Sequence, residues 1–454
     1  MKTIRFLLLL VLPLLLAAPV PAQNQTRTRT GKKKPEKADI IKARPAKPRT
    51  EGYYKDIFMD GGIGLNAYPD LPAADFLNLT LEQYTSSERT KLISIDTVLQ
   101  TALLVGNPLD ENGILLYPDG EPRFRMVYFN GGRATMHGSS LTEKGRQHVR
   151  DFVKNGGSYL GTCAGAFICA KGVARDTGYA VNKDYLGIWP GWTVGTGLEN
   201  SYTSMFVEPG SPLLQYYDYG NDMKIDSVRH NGGDYAYMDT DVPAGTEILL
   251  RFDGDTLKLK KSIHNTVSAW AWKENAQTGR VVAIGSHPER QIFGERLELM
   301  SALIRYALDG NGETKLKATL KNGEPRAMVR TTGENDPAFT RVGDRQYHHF
   351  AVDVPEGVKE IKVELYAPEF WTDRFDMWLF ADGQDFAFKS NARYKNIAHG
   401  SDKTLIVPVD KAGRYYVSVF CATTVDTVQT PYGDQYCGRT DVLNGVPYNI
   451  KVSW

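Results

Sequence analysis

The chain has 454 residues, with 54 Lys/Arg against 53 Asp/Glu and 42% hydrophobic residues, which excludes a lone small domain, a disordered chain and a multi-span membrane protein. The balance hides a segregation: residues 23–50 hold ten Lys/Arg against two acids, whereas residues 51–454 hold 42 basic against 51 acidic groups. An acidic body speaks against nucleic acid as a partner of the folded part.

In chain order, Lys2 and Arg5 precede an apolar run from Phe6 to Leu16, and Val20-Pro21-Ala22 places small residues at a cleavage site. Residues 1–22 therefore read as a secretory signal peptide, too short an apolar run to span a bilayer. No Cys follows the run, so no lipid anchor is expected there. The expected location is periplasmic or secreted, with no transmembrane segment. Residues 23–52 are basic, and 23–50 hold no aromatic residue and Pro35, Pro45 and Pro48, the composition of a solvated linker; the sharper alternative is an arm for anionic cell-envelope polymers.

From 53 to 312, short apolar runs alternate with helical stretches, which predicts an α/β domain with an open parallel sheet of flavodoxin-like type, covered on both faces. The predicted strands are Ile57–Met59, Met126–Phe129, Ser158–Leu160 and Val281–Ile284, each ending in glycines or a polar loop. Ligands bind at such strand ends in open α/β sheets. One helix carries a capping-box spacing, Ser140 to Glu143, an apolar face at Val149, Phe152 and Val153, and a stop at Gly156-Gly157.

From 313 to 454 the pattern changes to alternating strands at Tyr347–Val354, Glu360–Tyr366, Met377–Phe380, Thr404–Val409, Tyr415–Phe420 and Tyr448–Trp454. That predicts an all-β sandwich. In an exported chain, Cys421 and Cys437 read as a disulfide around a turn-rich loop, the alternative being two unpaired thiols. Trp371 and Trp378 are read first as core aromatics and second as platforms for sugars.

The chemistry centres on Cys163. It sits in Ser158-Tyr-Leu-Gly-Thr-Cys-Ala-Gly-Ala-Phe, a strand, a nucleophile among small residues and a helix: a nucleophile elbow with sulfur in place of oxygen. A helix N-terminus favours the reactive thiolate, while Cys169, six residues on, reads as a small buried residue. Two further strand ends bear on it. Met126–Phe129 runs into Asn130-Gly131-Gly132, whose backbone N–H groups suit an oxyanion. Val281–Ile284 runs into Gly285-Ser286-His287-Pro288-Glu289, where His287 is placed to deprotonate Cys163 and Glu289 to fix its tautomer.

Taken together, Gly161-Thr-Cys-Ala-Gly-Ala, Asn130-Gly-Gly and Gly285-Ser-His-Pro-Glu resemble the motifs of the class I glutamine amidotransferase-like fold, and within it the biotin–protein ligase N-terminal type of domain. The resemblance spans about 53–311. It implies a Cys163–His287–Glu289 triad, with the Gly132 and Ala164 amides as oxyanion donors. Asp60-Gly61-Gly62, with Asn130 and Gly131, then fits a substrate loop. No segment resembling the ligase's catalytic domain is seen, so biotin transfer is not expected. The long, aromatic- and glycine-rich stretch from Val173 to His264 predicts a pocket peculiar to this chain. Asp376-Met-Trp-Leu-Phe and Gly413-Arg-Tyr-Tyr-Val-Ser-Val resemble β-sandwiches appended to secreted bacterial peptidases. The expected function is a secreted cysteine amidohydrolase acting on a small amide or peptide, without cofactor; the rival is a binding protein on the same fold. No metal is expected, because none of the eight histidines has a ligand spacing.

Overall fold

Strands such as Phe124–Phe129 are apolar throughout because both of their faces are covered. In a computed structural model that describes residues 51–454 apart from 62, 66–69, 86–103, 255–260, 372 and 431–432, the two faces feed two cores. Met59, Met126, Tyr128, Leu160 and Ile284 enter one; Phe58, Val127, Phe129, Tyr159 and Ala283 enter the other. Successive side chains of a strand point to opposite faces, so the sequence alternates between cores rather than between core and water. The expected leader lies outside the described residues, as does the basic linker up to residue 50.

Among the described residues the α/β unit has a thirteen-stranded sheet. Its strands are β1 (Lys55–Gly61), β2 (Leu81–Thr85), β3 (Phe124–Phe129) and β4 (Ser158–Thr162), then β5 (Gly172–Arg175), β6 (Gly178–Val181), β7 (Trp192–Gly195) and β8 (Ser201–Val207). They continue with β9 (Lys224–His230), β10 (Asp234–Ala236), β11 (Glu247–Phe252), β12 (Val267–Trp272) and β13 (Val281–Ile284). The order β2-β1-β3-β4-β13 is parallel, as expected. Beyond β13 the sheet turns antiparallel at β12, which forks: β10 pairs near one end and β11 along the rest, with β8 and β9 outside β11. The stretch after Val173 thus mainly extends the sheet.

The helices α1 (Pro72–Phe76), α2 (Ala134–Ser140), α3 (Thr142–Lys154), α4 (Ala164–Cys169) and α5 (Glu295–Leu308) cover the faces. α5 is buried along most of its length in the first core, and α3 and α4 line the second. The expected capping box is corrected. Ser140 ends α2 and its hydroxyl donates to the His137 carbonyl at 2.7 Å, while Leu141 precedes α3 and Glu143 instead accepts from Arg146 and Arg150. The apolar face Val149, Phe152 and Val153 is buried as read.

α5 ends at Leu308 and the next strand begins at Leu316. Two sheets face each other there. One runs β14 (Leu316–Leu320), β16 (Tyr347–Val354), β21 (Gly413–Cys421), β18 (Met377–Asp382) and β19 (Tyr394–Asn396); the other runs β15 (Arg326–Met328), β24 (Tyr448–Ser453), β17 (Glu360–Tyr366) and β20 (Lys403–Pro408). Phe350, Val363, Leu379, Val417 and Ile450 meet between them in one core. Trp371 and Trp378 are half-buried: one stacks on Phe375 under Arg341, the other packs on Phe420 under Lys389. A hairpin of β22 (Asp426–Thr430) and β23 (Gly433–Cys437) stands beside the sandwich sheets.

That hairpin corrects the expected disulfide: Cys421 and Cys437 are free thiols. Cys421 closes β21 facing the sandwich core and donates to the Thr423 carbonyl at 3.4 Å, whereas Cys437 pairs with Asp426 across the hairpin and is exposed. Burial pushes the Cys421 and Cys169 thiols well above their ordinary range. In native protein at pH about 8.5, iodoacetamide is therefore expected to label Cys437 and spare Cys421 and Cys169, as peptide mass spectrometry would read. Recovery of a linked 421–437 peptide would contradict this.

A buried ionic cluster joins the two units. Asp119, fully buried in the turn before β3, accepts from Lys317 of β14, from Gln346 Nε2 at 2.6 Å and from the Glu121 amide at 3.0 Å. His348 Nε2 of β16 lies 3.2 Å from the same carboxylate. Nearby, Arg123 is held by Asp110 and donates to the Leu443 carbonyl at 3.1 Å.

Candidate active site

Parallel pairing in register sets the site. Thr162 of β4 is opposite Ile284 of β13, and Gly161 is opposite Phe129 of β3, so the three loops that follow leave the sheet side by side. The Cys163 amide then donates to the Ile284 carbonyl at 2.9 Å and the Gly165 amide to the Asn130 carbonyl at 3.2 Å, fastening the elbow to both neighbours.

Cys163 has φ 49° and ψ −104°, a positive-φ conformation unusual for a non-glycine residue. Its surroundings explain the small neighbours: a Cβ on Gly165 would stand 2.1 Å from the Phe129 carbonyl oxygen. The helix that follows is only six residues long. Cys163 is 5% exposed, and its sulfur lies 3.8 Å from the Asn231 carbonyl oxygen.

His287 hydrogen-bonds Cys163 through its side chain, and its Nδ1 donates to Glu289 Oε1 at 2.9 Å. With Nδ1 committed to the carboxylate, Nε2 is left for the sulfur. Burial disfavours the charged ring, but the hydrogen bonds to Cys163 and Glu289 and their charges outweigh it and raise His287 to about 10. Glu289 is 1% exposed, held where it can face the imidazole.

Gly132, at φ 147°, is exposed beside the elbow, and the chain crosses there so closely that a Cβ would meet the Gly64 carbonyl oxygen at 2.1 Å. No backbone acceptor among the described residues takes the Gly132 or Ala164 amide. Asn130 and Gly131 are buried beneath them. Asp60, expected in a substrate loop, is instead buried against His137: Oδ2 lies 3.1 Å from Nε2, and the ring's Nδ1 bonds the Ile63 carbonyl at 3.0 Å. Gly61 ends β1 opposite Thr85, and Gly62 lies outside the described residues.

Sequence reasoning missed the segment Arg229–Gly233. The Arg229 carbonyl accepts the His287 amide at 2.8 Å, and Asn231 covers the sulfur. Its signal was a strand running into His230-Asn231-Gly232-Gly233, the same form as Asn130-Gly131-Gly132. Two clefts lie elsewhere. One of about 530 Å³ is lined by Arg326, Arg330 and Phe339 of the sandwich, and one of about 420 Å³ by Tyr235, Tyr237 and Arg251; neither includes Cys163, His287 or Glu289. Among the described residues no three His, Cys, Asp or Glu side chains converge as metal ligands would.

A mixed α/β domain with a largely parallel central sheet, followed by β-rich sheets, defines the class of protein. Residues 86–324 match the family described as biotin-protein ligase, N terminal, and the chain belongs to that family. No curated protein matches the chain. Among solved structures, a glutamine amidotransferase is similar at 19% identity and TM-score 0.28, covering 40% of this chain and 80% of its own. A Thermoplasma acidophilum protein described as part of a GMP synthase is similar at 12% identity and TM-score 0.31, covering 56% of this chain and 96% of its own.

Proposed function

We propose that the chain is a cysteine amidohydrolase. The observation that carries this reading is the hydrogen-bonded series Cys163, His287 and Glu289 on neighbouring strand ends. His287 takes the thiol proton and the Cys163 sulfur attacks the amide carbon, forming the C–S bond. The Gly132 and Ala164 amides receive the oxyanion, and His287 returns the proton to the departing nitrogen as the C–N bond breaks. Water, deprotonated by the same imidazole, then cleaves the thioester, releasing the acid and restoring the thiol. Glu289 keeps Nδ1–H in place throughout. The substrate is a small amide or peptide met outside the cytoplasm, where the leader at 1–22 would deliver the enzyme, with residues 23–52 as a solvated linker and the sandwich as an accessory domain.

The test is a screen of γ-glutamyl and cell-wall amides without ATP or metal, with intact-mass detection of a thioester on Cys163. Turnover that survives Cys163→Ala and His287→Ala overturns the mechanism. The 5% exposure of Cys163 favours the second reading, a binding protein that leaves the triad unused; saturable amide binding with neither turnover nor thioester would establish it.

A further inference from the structure

A buried histidine with both ring nitrogens bonded is commonly a satisfied piece of core, and His230 at first sight is one. It is 0% exposed, edge-on to Phe252, with Nδ1 2.7 Å from Ser286 Oγ and Nε2 2.7 Å from Thr196 Oγ1. Its neighbours in sequence are what set it apart. Arg229 binds the His287 backbone through its carbonyl, and the carbonyl of Asn231 lies against the Cys163 sulfur. The two members of the reacting pair are thus touched by the residues on either side of one anchored ring.

The direction of each bond follows from counting protons. Thr196 Oγ1 lies 3.0 Å from the Gly233 carbonyl, to which it can give its one proton, and accepts the Leu198 amide at 3.2 Å. The arrangement that gives both hydroxyls an acceptor has Thr196 accept from His230, with the ring proton assigned to Nε2. Nδ1 is then a lone pair, and Ser286 donates to it. The chain runs Ser286 to His230 to Thr196 to Gly233, with each member satisfied while the ring is neutral. Burial, and then the charge of His287, lower His230 to about 4, so it stays neutral while its neighbour is protonated. Ser286 immediately precedes His287, so the same ring holds the histidine loop by a side chain as well as by Arg229.

We propose that His230 is a positioning residue for the thiol–imidazole pair: it ties the loop carrying His287 to the segment covering Cys163 and so fixes the distance between sulfur and Nε2. The inference rests on the hydrolase reading, in which that distance sets reactivity. It identifies no new catalytic group, since His230 reaches the reacting atoms through Arg229, Asn231 and Ser286.

The experiment measures the rate of Cys163 alkylation by iodoacetamide against pH in the full chain, by peptide mass spectrometry, with thermal melting as a control for folding. Wild type is expected to react at pH about 6, well below the ordinary thiol range near 8.5. His230→Phe keeps the ring and loses both bonds; it is expected to react about tenfold or more slowly at that pH, with its midpoint moved toward the ordinary thiol value. His230→Asn, whose amide oxygen reaches the Nδ1 position and accepts from Ser286, is expected to restore most of the acid-side reactivity. Ser286→Ala removes one bond and leaves the ring, and shows the same loss at smaller size even where His230→Phe does not fold. A wild-type Cys163 with an ordinary thiol profile overturns the triad reading and this inference with it. A wild-type profile retained in folded His230→Phe or Ser286→Ala overturns this inference alone.

Discussion

Cys163→Ala is expected to abolish both thioester formation and amide turnover, a loss of roughly 10⁴- to 10⁶-fold judged by nucleophile removal in enzymes that use a triad. The sulfur is the only protein atom that forms a bond to the substrate carbon in the proposed reaction, and no neighbouring side chain can take its place. Cys169 faces the core on α4, where it donates to the Ala166 carbonyl at 3.1 Å. His287→Ala should cost nearly as much, because the thiol then lacks its base and the leaving nitrogen its acid. The double variant should be little worse than either single one, since members of a triad act as a unit. Steady-state turnover on the amide found by screening, with intact mass for the thioester, reads all three. A double variant whose loss equals the product of the single losses would show that the two side chains work independently.

Asp119→Ala is expected to lower stability by about 3 to 5 kcal/mol, the usual consequence of removing one partner from a buried pair. The variant strands Lys317, only 6% exposed at its side chain, with Glu121 as its one remaining partner at 3.1 Å, and deprives Gln346 and His348 of their acceptor. Because these groups come from both structural units, the loss should appear in one cooperative transition rather than as loosening of the sandwich alone. Burial raises the Asp119 carboxyl, but the charge of Lys317 and the bonds from His348 and Lys317 prevail, so it is held far below 3.8. The sign follows from linkage: the folded state refuses a proton that the unfolded chain takes up below pH 3.8. The contribution is thus fully present above that pH and shrinks as the pH falls further. Urea unfolding of wild type and Asp119→Asn should differ most above pH about 4 and converge below it. A difference that grows in acid would contradict the assignment.

The parallel heart of the sheet was legible in the sequence because strands buried on both faces need unbroken apolar runs, and Ile57, Met126, Tyr159 and Val282 announced themselves in that way, whereas strands β5 to β12 did not. The sandwich strands Glu360–Tyr366 and Lys403–Pro408 were legible for a different reason, as alternation fixes the buried face locally. The capping box failed on a local rule: Ser140 has the right spacing to Glu143, but α2 runs directly into Leu141 and claims its hydroxyl for His137.

The sequence by itself determined the three glycine-bearing strand ends around Cys163, Asn130 and His287, since a sharp turn under a reactive side chain demands small residues within a few positions of it. Only the tertiary structure decided what surrounds them. His230 meets Ser286 across 56 residues, Asp60 of β1 meets His137 of α2, and Asp119 meets Lys317 across 198. Cys421 faces the core while Cys437, opposite Asp426, faces water. Each of these depends on which strands become neighbours, and the register of a fold with an antiparallel extension leaves no periodicity in the residues it brings together. Local chemistry was written in local patterns, whereas the contacts that hold His287 against Cys163 arise from pairing between distant segments, which the chain acquires only on folding.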